Sequence, residues 1–179
     1  MNDAIIIGDG PGGLSAALYL AKAGKTVTVF GQDKTAMHAA LLKNYLGIPE
    51  MTGTDFQKVA RDQVLALGAT LEGARVASVA KDGEQFTVTL EGGETHRARY
   101  LILSEGKSPK LAKELGLIAE GGVKTDVNGR TEIDRVYAVG RLVRPARSQA
   151  IISAGDGAAA AIDILSVEAG KDVQDWDSP

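Results

Sequence analysis

The sequence predicts an α/β fold: a doubly wound parallel sheet with a small antiparallel meander at one side. Three observations carry that prediction. The first thirty residues read as strand, glycine turn, helix and strand, the span of one βαβ unit. Short all-apolar runs recur at Ala4–Ile7, Tyr100–Leu103 and Val136–Val139, as expected of strands buried on both faces. Between residues 74 and 99 the pattern changes to short β-branched runs separated by glycine turns, which reads as hairpins.

Each element follows from its local pattern. Gly8-Asp9-Gly10-Pro11-Gly12-Gly13 breaks the first apolar run, and Leu14, Ala17, Leu18 and Ala21 then recur at helical spacing. Pro11 suits the first helical turn, and Gly24 the position past its end. Thr26–Phe30 is a β-branched second strand. Residues 31–52 carry no clear period and read as a long loop with one helical turn. A helix is expected from about Gly53 to Leu67, with Thr54 and Gln57 as a capping box and an apolar stripe of Phe56, Val59, Val64 and Leu67. Val76–Val79 and Phe86–Leu90 are meander strands, with turns at Asp82-Gly83 and Gly92-Gly93. A short helix over Lys110–Leu115, a turn at Asn128-Gly129 and an alanine-rich helix over Ile151–Leu165 follow. From Lys171 the chain is a polar tail in which Trp176 is the residue suited to docking.

Composition narrows the function. The chain has 179 residues, the length of one domain. Its net charge of −3 offers no basic field for nucleic acid, and 4% aromatic residues leave few rings for base stacking. No apolar run approaches the roughly 20 residues of a membrane span, and polar Asn2-Asp3 stands where a signal peptide would be basic and then apolar. A cytoplasmic protein with no membrane or nucleic-acid partner is therefore expected. Cysteine is absent, which excludes disulfides, thiolate metal sites and redox chemistry through a dithiol of this chain. The two histidines, His38 and His96, are far apart, so no metal site is expected.

The glycine loop carries the chemistry. Gly8, Gly10 and Gly13 match G-x-G-x-x-G between a strand and a helix, the context that gives the motif its meaning. The first glycine permits the tight turn, the second lets backbone approach a pyrophosphate, and the third lets helix and strand pack closely. The phosphates then rest on the free N–H groups of the helix N-terminus. Gly8, Gly10, Pro11, Gly12 and Gly13 are thus candidate dinucleotide contacts. The acidic residue that holds the adenosine ribose is expected at the end of the second strand, where this sequence has Gly31. Asp33, two residues on, is the candidate substitute. Alternatively, Gly31 makes room for a 2′-phosphate paired with Lys34, which implies NADP.

The order of further motifs resembles the FAD-binding domain of thioredoxin-reductase-like flavoproteins. Gly8–Leu20 is similar to that family's opening G-G-G-P-A-G-L-S-A-A-x-Y-L, and Asn44-Tyr45-Leu46-Gly47 to its Asn-x-Pro-Gly turn. Tyr100–Gly106 resembles the strand leading to Ala-Thr-Gly. Thr131 with Val136-Tyr137-Ala138-Val139-Gly140-Arg141 resembles the threonine and apolar strand ending in Gly-Asp. Gln149–Gly157 is similar to the closing Gln-x-x-x-Ala-Ala-Gly-Asp-Gly. The resemblance implies a Rossmann-like, FAD/NAD(P)-binding fold with FAD as cofactor. It implies a single FAD-binding domain over residues 1–170, with the meander at about 74–99 and a tail at 171–179. Two family features are missing. Residues 107–130 stand where the family inserts an NAD(P)H domain and hold no second glycine motif, and the redox Cys-x-x-Cys is absent.

Through the resemblance, Asn44, Gly106, Gly140, Arg141, Gln149 and Ala150 join the candidate cofactor contacts. Arg141 stands in place of an aspartate that bonds the ribityl chain. It either pairs with a pyrophosphate or is solvated beside Arg144 and Arg147. Asn44 either meets the flavin edge or serves its turn. The helix opening near Gln149 would face the pyrimidine end of the flavin, and Gly155 and Gly157 would let it pack closely on the first βαβ unit. Glu105, where the family has threonine, is expected to face away from the phosphates, and His38 to lie at the surface. No side chain is assigned a catalytic role. The implied function is an FAD-dependent oxidoreductase that is not a thioredoxin reductase. It would move electrons between free NAD(P)H or a redox partner protein and an unassigned acceptor, as a homodimer by family habit. The alternatives are a non-catalytic FAD- or ADP-nucleotide-binding module or subunit, and an NADP-binding dehydrogenase fragment.

Overall fold

The computed structural model describes residues 1–177. Strand β1 (Asn2–Ile7) enters the glycine loop, helix α1 (Pro11–Lys22) follows, and β2 (Val27–Phe30) completes the first unit. Gly24, just past α1, takes φ +77°, a left-handed conformation that suits glycine. The segment read as a loop is more structured than its pattern suggests. A 3₁₀ turn at Ala36–Ala39 precedes two-residue strands β3 (Leu41–Leu42) and β4 (Met51–Thr52), which pair antiparallel. Helix α2 (Gly53–Ala66) then leads to a short strand, β5 (Thr70–Glu72). The cap of α2 is Thr52, not Thr54: its Oγ1 accepts from Asp55 N at 3.1 Å and donates to Asp55 Oδ2. Gln57 is fully buried and takes no part in capping.

The meander comprises β6 (Val76–Asp82), β7 (Gln85–Leu90) and β8 (Thr95–Leu103). The expected separate strand at Tyr100–Leu103 is the second half of β8. Its burial runs from alternating to continuous along its nine residues, so one strand reads as two kinds in sequence. Helix α3 (Lys110–Glu114), a small hairpin of β9 (Ile118–Ala119) and β10 (Gly122–Val123), strand β11 (Val136–Ala138) and helix α4 (Ala150–Ala169) follow.

The seven-stranded sheet has the order β5-β2-β1-β8-β7-β6, with β11 also on β8. β5, β2, β1, β8 and β11 are mutually parallel where they pair. β8 joins the two regimes along one edge: Thr95–Ala98 pair antiparallel with β7, and Leu101–Leu103 pair parallel with β11. Side chains alternate between two cores, as the strand repeat requires. Ala4, Ile6, Tyr100, Ile102, Tyr137 and Val139 meet α1 and α4 on one face. Ile5, Ile7, Leu101, Leu103, Val136 and Ala138 meet Phe86, Leu111 and Leu117 on the other.

Helix α4 corrects one expectation. Its 20 residues are long and apolar enough, by length and composition, to cross a membrane. In the fold it is a core helix, burying Ser153, Gly157, Ala160, Ala161, Asp163, Ile164 and Leu165. Gly157 permits the contact with α1, since a Cβ there would lie 2.0 Å from Gly12 O. Gly155, by contrast, faces open space and has no packing role. The tail folds back through Val173, whose N–H donates to Ser166 Oγ at 3.0 Å, and Lys22 meets Asp175 and Asp177. Trp176 does not dock: it is 83% exposed.

Asp163 ties α4 to the turn before β11. Its buried carboxylate accepts from Arg130 (Nε at 2.6 Å), Asn128 Nδ2 (3.0 Å) and Tyr137 Oη (2.7 Å). Burial and this bond push the Tyr137 phenol well above its ordinary value. Asp163→Ala leaves the Tyr137 hydroxyl buried without its acceptor. It is expected to cost about 3 kcal/mol, the lower end for a broken buried pair because Arg130 is half exposed. Urea denaturation of the variant checks this.

Candidate functional site

β1, β2, β8 and β11 end side by side, and Gly8, Gly31, Ser104 and Gly140 floor a cleft just beyond them. The cleft holds about 970 Å³, at the upper end of small-molecule sites. It lies outside the carboxyl ends of parallel strands, where open α/β sheets bind ligands. Two helices aim their N-termini into it. α1 opens at Gly10 and α4 at Gln149, and neither is capped by a side chain. Their first N–H groups lack intrahelical partners and carry the positive end of the helix dipole. Lys34, Arg75, Lys107, Lys110 and Arg141 also line the cleft, against Asp9, Glu91 and Glu105. Such a site suits an elongated anion with one charged group at each helix end.

The structure brings most of the sequence candidates together. Gly8, Gly10, Pro11, Gly12, Asn44, Gly106, Gly140, Arg141, Gln149 and Ala150 all line the cleft. Gly13 does not. It faces the strand, where a Cβ would lie 1.9 Å from Gly8 O, so its role is helix–strand packing. Gly8 itself has φ +107°, and a Cβ there would lie 2.1 Å from Ser104 O. Asn44 and Gln149 reach across the mouth: Asn44 Nδ2 donates to Gln149 Oε1 at 3.0 Å. Arg141 has no ion-pair partner among the described residues, whereas Arg144 is held by Asp156. Those described residues contain no cluster of metal-ligating side chains.

Asp33 does not stand in for the missing strand-end acid. It lies outside the cleft lining, sits at φ 54°, and meets His38 Nε2 through its carboxylate at 3.1 Å. His38 in turn contacts Thr54 Oγ1 at 3.1 Å, tying the loop to α2. The place of a side chain at residue 31 is already filled. A Cβ at residue 31 would lie 2.2 Å from Asp9 Cγ, because the Asp9 side chain occupies that place. α2 holds it there. Arg61 Nη1 meets Asp9 Oδ2 at 2.5 Å, Gln57 Nε2 donates to the Asp9 carbonyl, and Asp33 N donates to Oδ2 at 2.9 Å. Sequence reasoning missed Asp9, Gln57 and Arg61. The signal was the four-residue spacing of Gln57 and Arg61, which puts both on one face of α2.

Glu105, on the cleft wall, caps α3, its two oxygens accepting from Leu111 N at 2.8 Å and Ala112 N at 2.9 Å. Both oxygens are thereby engaged within the chain. Burial outweighs these bonds and raises its carboxyl above the ordinary 4.5.

Residues 43–157 match the family model described as pyridine nucleotide-disulphide oxidoreductase. Residues 3–77 match the one described as FAD binding domain, and FAD is the cofactor of this fold. The thioredoxin reductase of Helicobacter pylori is 34% identical over 115 residues, covering 62% of this chain and 37% of that protein. That of Mycolicibacterium smegmatis is 37% identical over 126 residues, covering 67% and 39%. The chain therefore spans less than half the length of these curated relatives. Among solved structures, a thioredoxin reductase from Gloeobacter violaceus superposes with a TM-score of 0.85 at 19% identity, covering 98% of this chain and 99% of that one. The atypical thioredoxin reductase of Desulfovibrio vulgaris Hildenborough gives 0.84 at 19% identity, covering 93% and 97%. These likenesses show the fold.

The raised carboxyl of Glu105 has a pH signature. The folded chain keeps this proton over a window in which the unfolded chain has lost it, so the contribution of Glu105 to stability is fullest below 4.5 and is lost as pH rises through the raised value. Glu105→Gln is expected to flatten that decline. Melting temperatures taken from acid to neutral pH check it.

Proposed function

The chain belongs to the pyridine nucleotide-disulphide oxidoreductase family, and on that premise we propose that it is the FAD-carrying unit of a flavin oxidoreductase distinct from a thioredoxin reductase. Its electron donor is free NAD(P)H or a partner protein, and its acceptor is not a dithiol of these 179 residues, which contain no cysteine. The observation that carries the reading is the convergence of two uncapped helix N-termini, α1 and α4, on one cleft at the strand ends.

The residues present fit FAD. Bound there, FAD supplies the two-electron chemistry, and the chain supplies position and field. The glycine loop and the start of α1 would hold the pyrophosphate through backbone N–H groups. Arg141 lines the cleft and carries the fork geometry for a second phosphate contact. The opening turn of α4, at Gln149 and Ala150, would meet the pyrimidine end of the flavin. Its free N–H groups would favour negative charge at that end, and they would need no rearrangement to do so. The Asn44–Gln149 bond would orient both amides at that end. A homodimer in the cytoplasm is part of this reading, on the resemblance alone.

A second reading has its own support. Between α3 and β11 the chain forms only the β9–β10 hairpin and connecting turns, with no second glycine motif. A unit of this kind also serves as a nucleotide-binding module or subunit without turnover. An anaerobic titration of the FAD-loaded protein with NADH and with NADPH separates the two. Bleaching of the flavin band by either, with reoxidation by a dye acceptor, is the expected result. A flavin that stays oxidised with both donors favours the non-catalytic module.

A further inference from the structure

We infer that Asp9 is the acceptor for the ribose 2′-hydroxyl of the bound adenine nucleotide, replacing the acidic residue that this fold otherwise carries at the end of β2. The inference rests on the FAD reading of the cleft and names the residue that recognises its adenosine half.

Four observations carry it. The strand-end position is Gly31, and Asp33, the nearest acid in sequence, is engaged with His38 outside the cleft lining. Asp9 lines the cleft and is only 6% exposed. Its carboxylate occupies the volume that a side chain at residue 31 would fill: a Cβ there would lie 2.2 Å from Asp9 Cγ and 2.5 Å from Oδ1. A side chain at position 31 and the Asp9 carboxylate in its present position therefore cannot both occupy this place. Finally, the two oxygens differ. Oδ2 is taken by Arg61 Nη1 and Asp33 N, while Oδ1 has no hydrogen bond among the described residues. One face of a buried carboxylate is thus fixed from behind, and the other is left as an acceptor for a hydroxyl.

The clamp also removes the objection to a carboxylate in a glycine loop. An uncompensated charge beside a pyrophosphate would repel it, and Arg61 neutralises Asp9 at 2.5 Å. Gln57, one helical turn before Arg61, holds the Asp9 backbone, so both the chain path and the side chain are set by α2. The arrangement has a consequence for specificity. A carboxylate acceptor at this place favours a free 2′-hydroxyl and disfavours a 2′-phosphate, although Lys34 and Arg75 line the same cleft and would attract one.

The test is calorimetric titration of the full chain with ADP, 2′-deoxy-ADP and 2′-phospho-ADP, beside FAD itself. The wild-type protein is expected to bind ADP at least ten-fold more tightly than either analogue. Asp9→Asn keeps the shape and the clearance at Gly31, and is expected to reduce both preferences to within about three-fold. Gly31→Glu alone collides with Asp9 and is expected to lose ADP binding. The exchange Asp9→Gly with Gly31→Glu is expected to recover binding and the preference for the 2′-hydroxyl, a non-additivity that no loss of folding imitates. Melting temperatures accompany each variant. Wild-type protein that binds FAD and ADP but does not distinguish 2′-deoxy-ADP from ADP leaves the FAD reading intact and overturns the role of Asp9. So does an Asp9→Asn variant that keeps the wild-type preference. Wild-type protein that binds neither FAD nor ADP overturns the FAD reading and this inference with it.

Discussion

Everything in this molecule depends on how closely three backbones approach at the end of β1. A Cβ at Gly13 would sit 1.9 Å from Gly8 O, one at Gly8 2.1 Å from Ser104 O, and one at Gly157 2.0 Å from Gly12 O. No side chain fits at any of the three. The loop is therefore a spacer of fixed thickness between β8, α1 and α4. It lets the two helices start beside each other, and only that adjacency makes their N-termini share a cleft. Packing and function are one constraint here: a wider gap at Gly157 would separate the two positive helix ends that define the site.

The electrostatics follow from that geometry. Two unsatisfied helix starts and the lysines and arginines of the rim make the cleft a place for an anion, although the chain as a whole carries a net charge of −3. Two of the three acids that line the cleft are engaged within the chain. Glu105 is spent as the cap of α3, and Asp9 is matched by Arg61. α2 emerges as a structural partner of the site although only its clamp residues approach the glycine loop. Its i, i+4 pair of Gln57 and Arg61 fixes the one residue of the loop that carries a charge.

The fold was legible because its signals are local and redundant. β1, α1 and β2 are announced by an apolar run, a glycine motif and a β-branched run, each giving the others their context. The cleft residues were legible for the same reason, since glycines and helix starts act through the backbone. What escaped was set by tertiary context. β8 was read as two strands because its partners change halfway, from the exposed hairpin to the buried sheet. The cap of α2 was misplaced by two residues, because Thr52 and Thr54 look equivalent until the backbone chooses one. Asp33 was chosen on sequence distance from the strand end and Asp9 was not considered, whereas the space left by the missing Cβ of Gly31 opens toward Asp9. A contact across a glycine leaves no trace in periodicity or propensity.

The most direct measurement of the central claim, that the cleft between α1 and α4 holds FAD, is the visible absorption spectrum of the protein after incubation with FAD and desalting. A retained flavin band with a shifted and structured maximum, at about one flavin per chain, is the predicted result. A colourless protein that keeps its circular dichroism and melting transition contradicts it, because the cleft would then be intact and still unable to hold the cofactor.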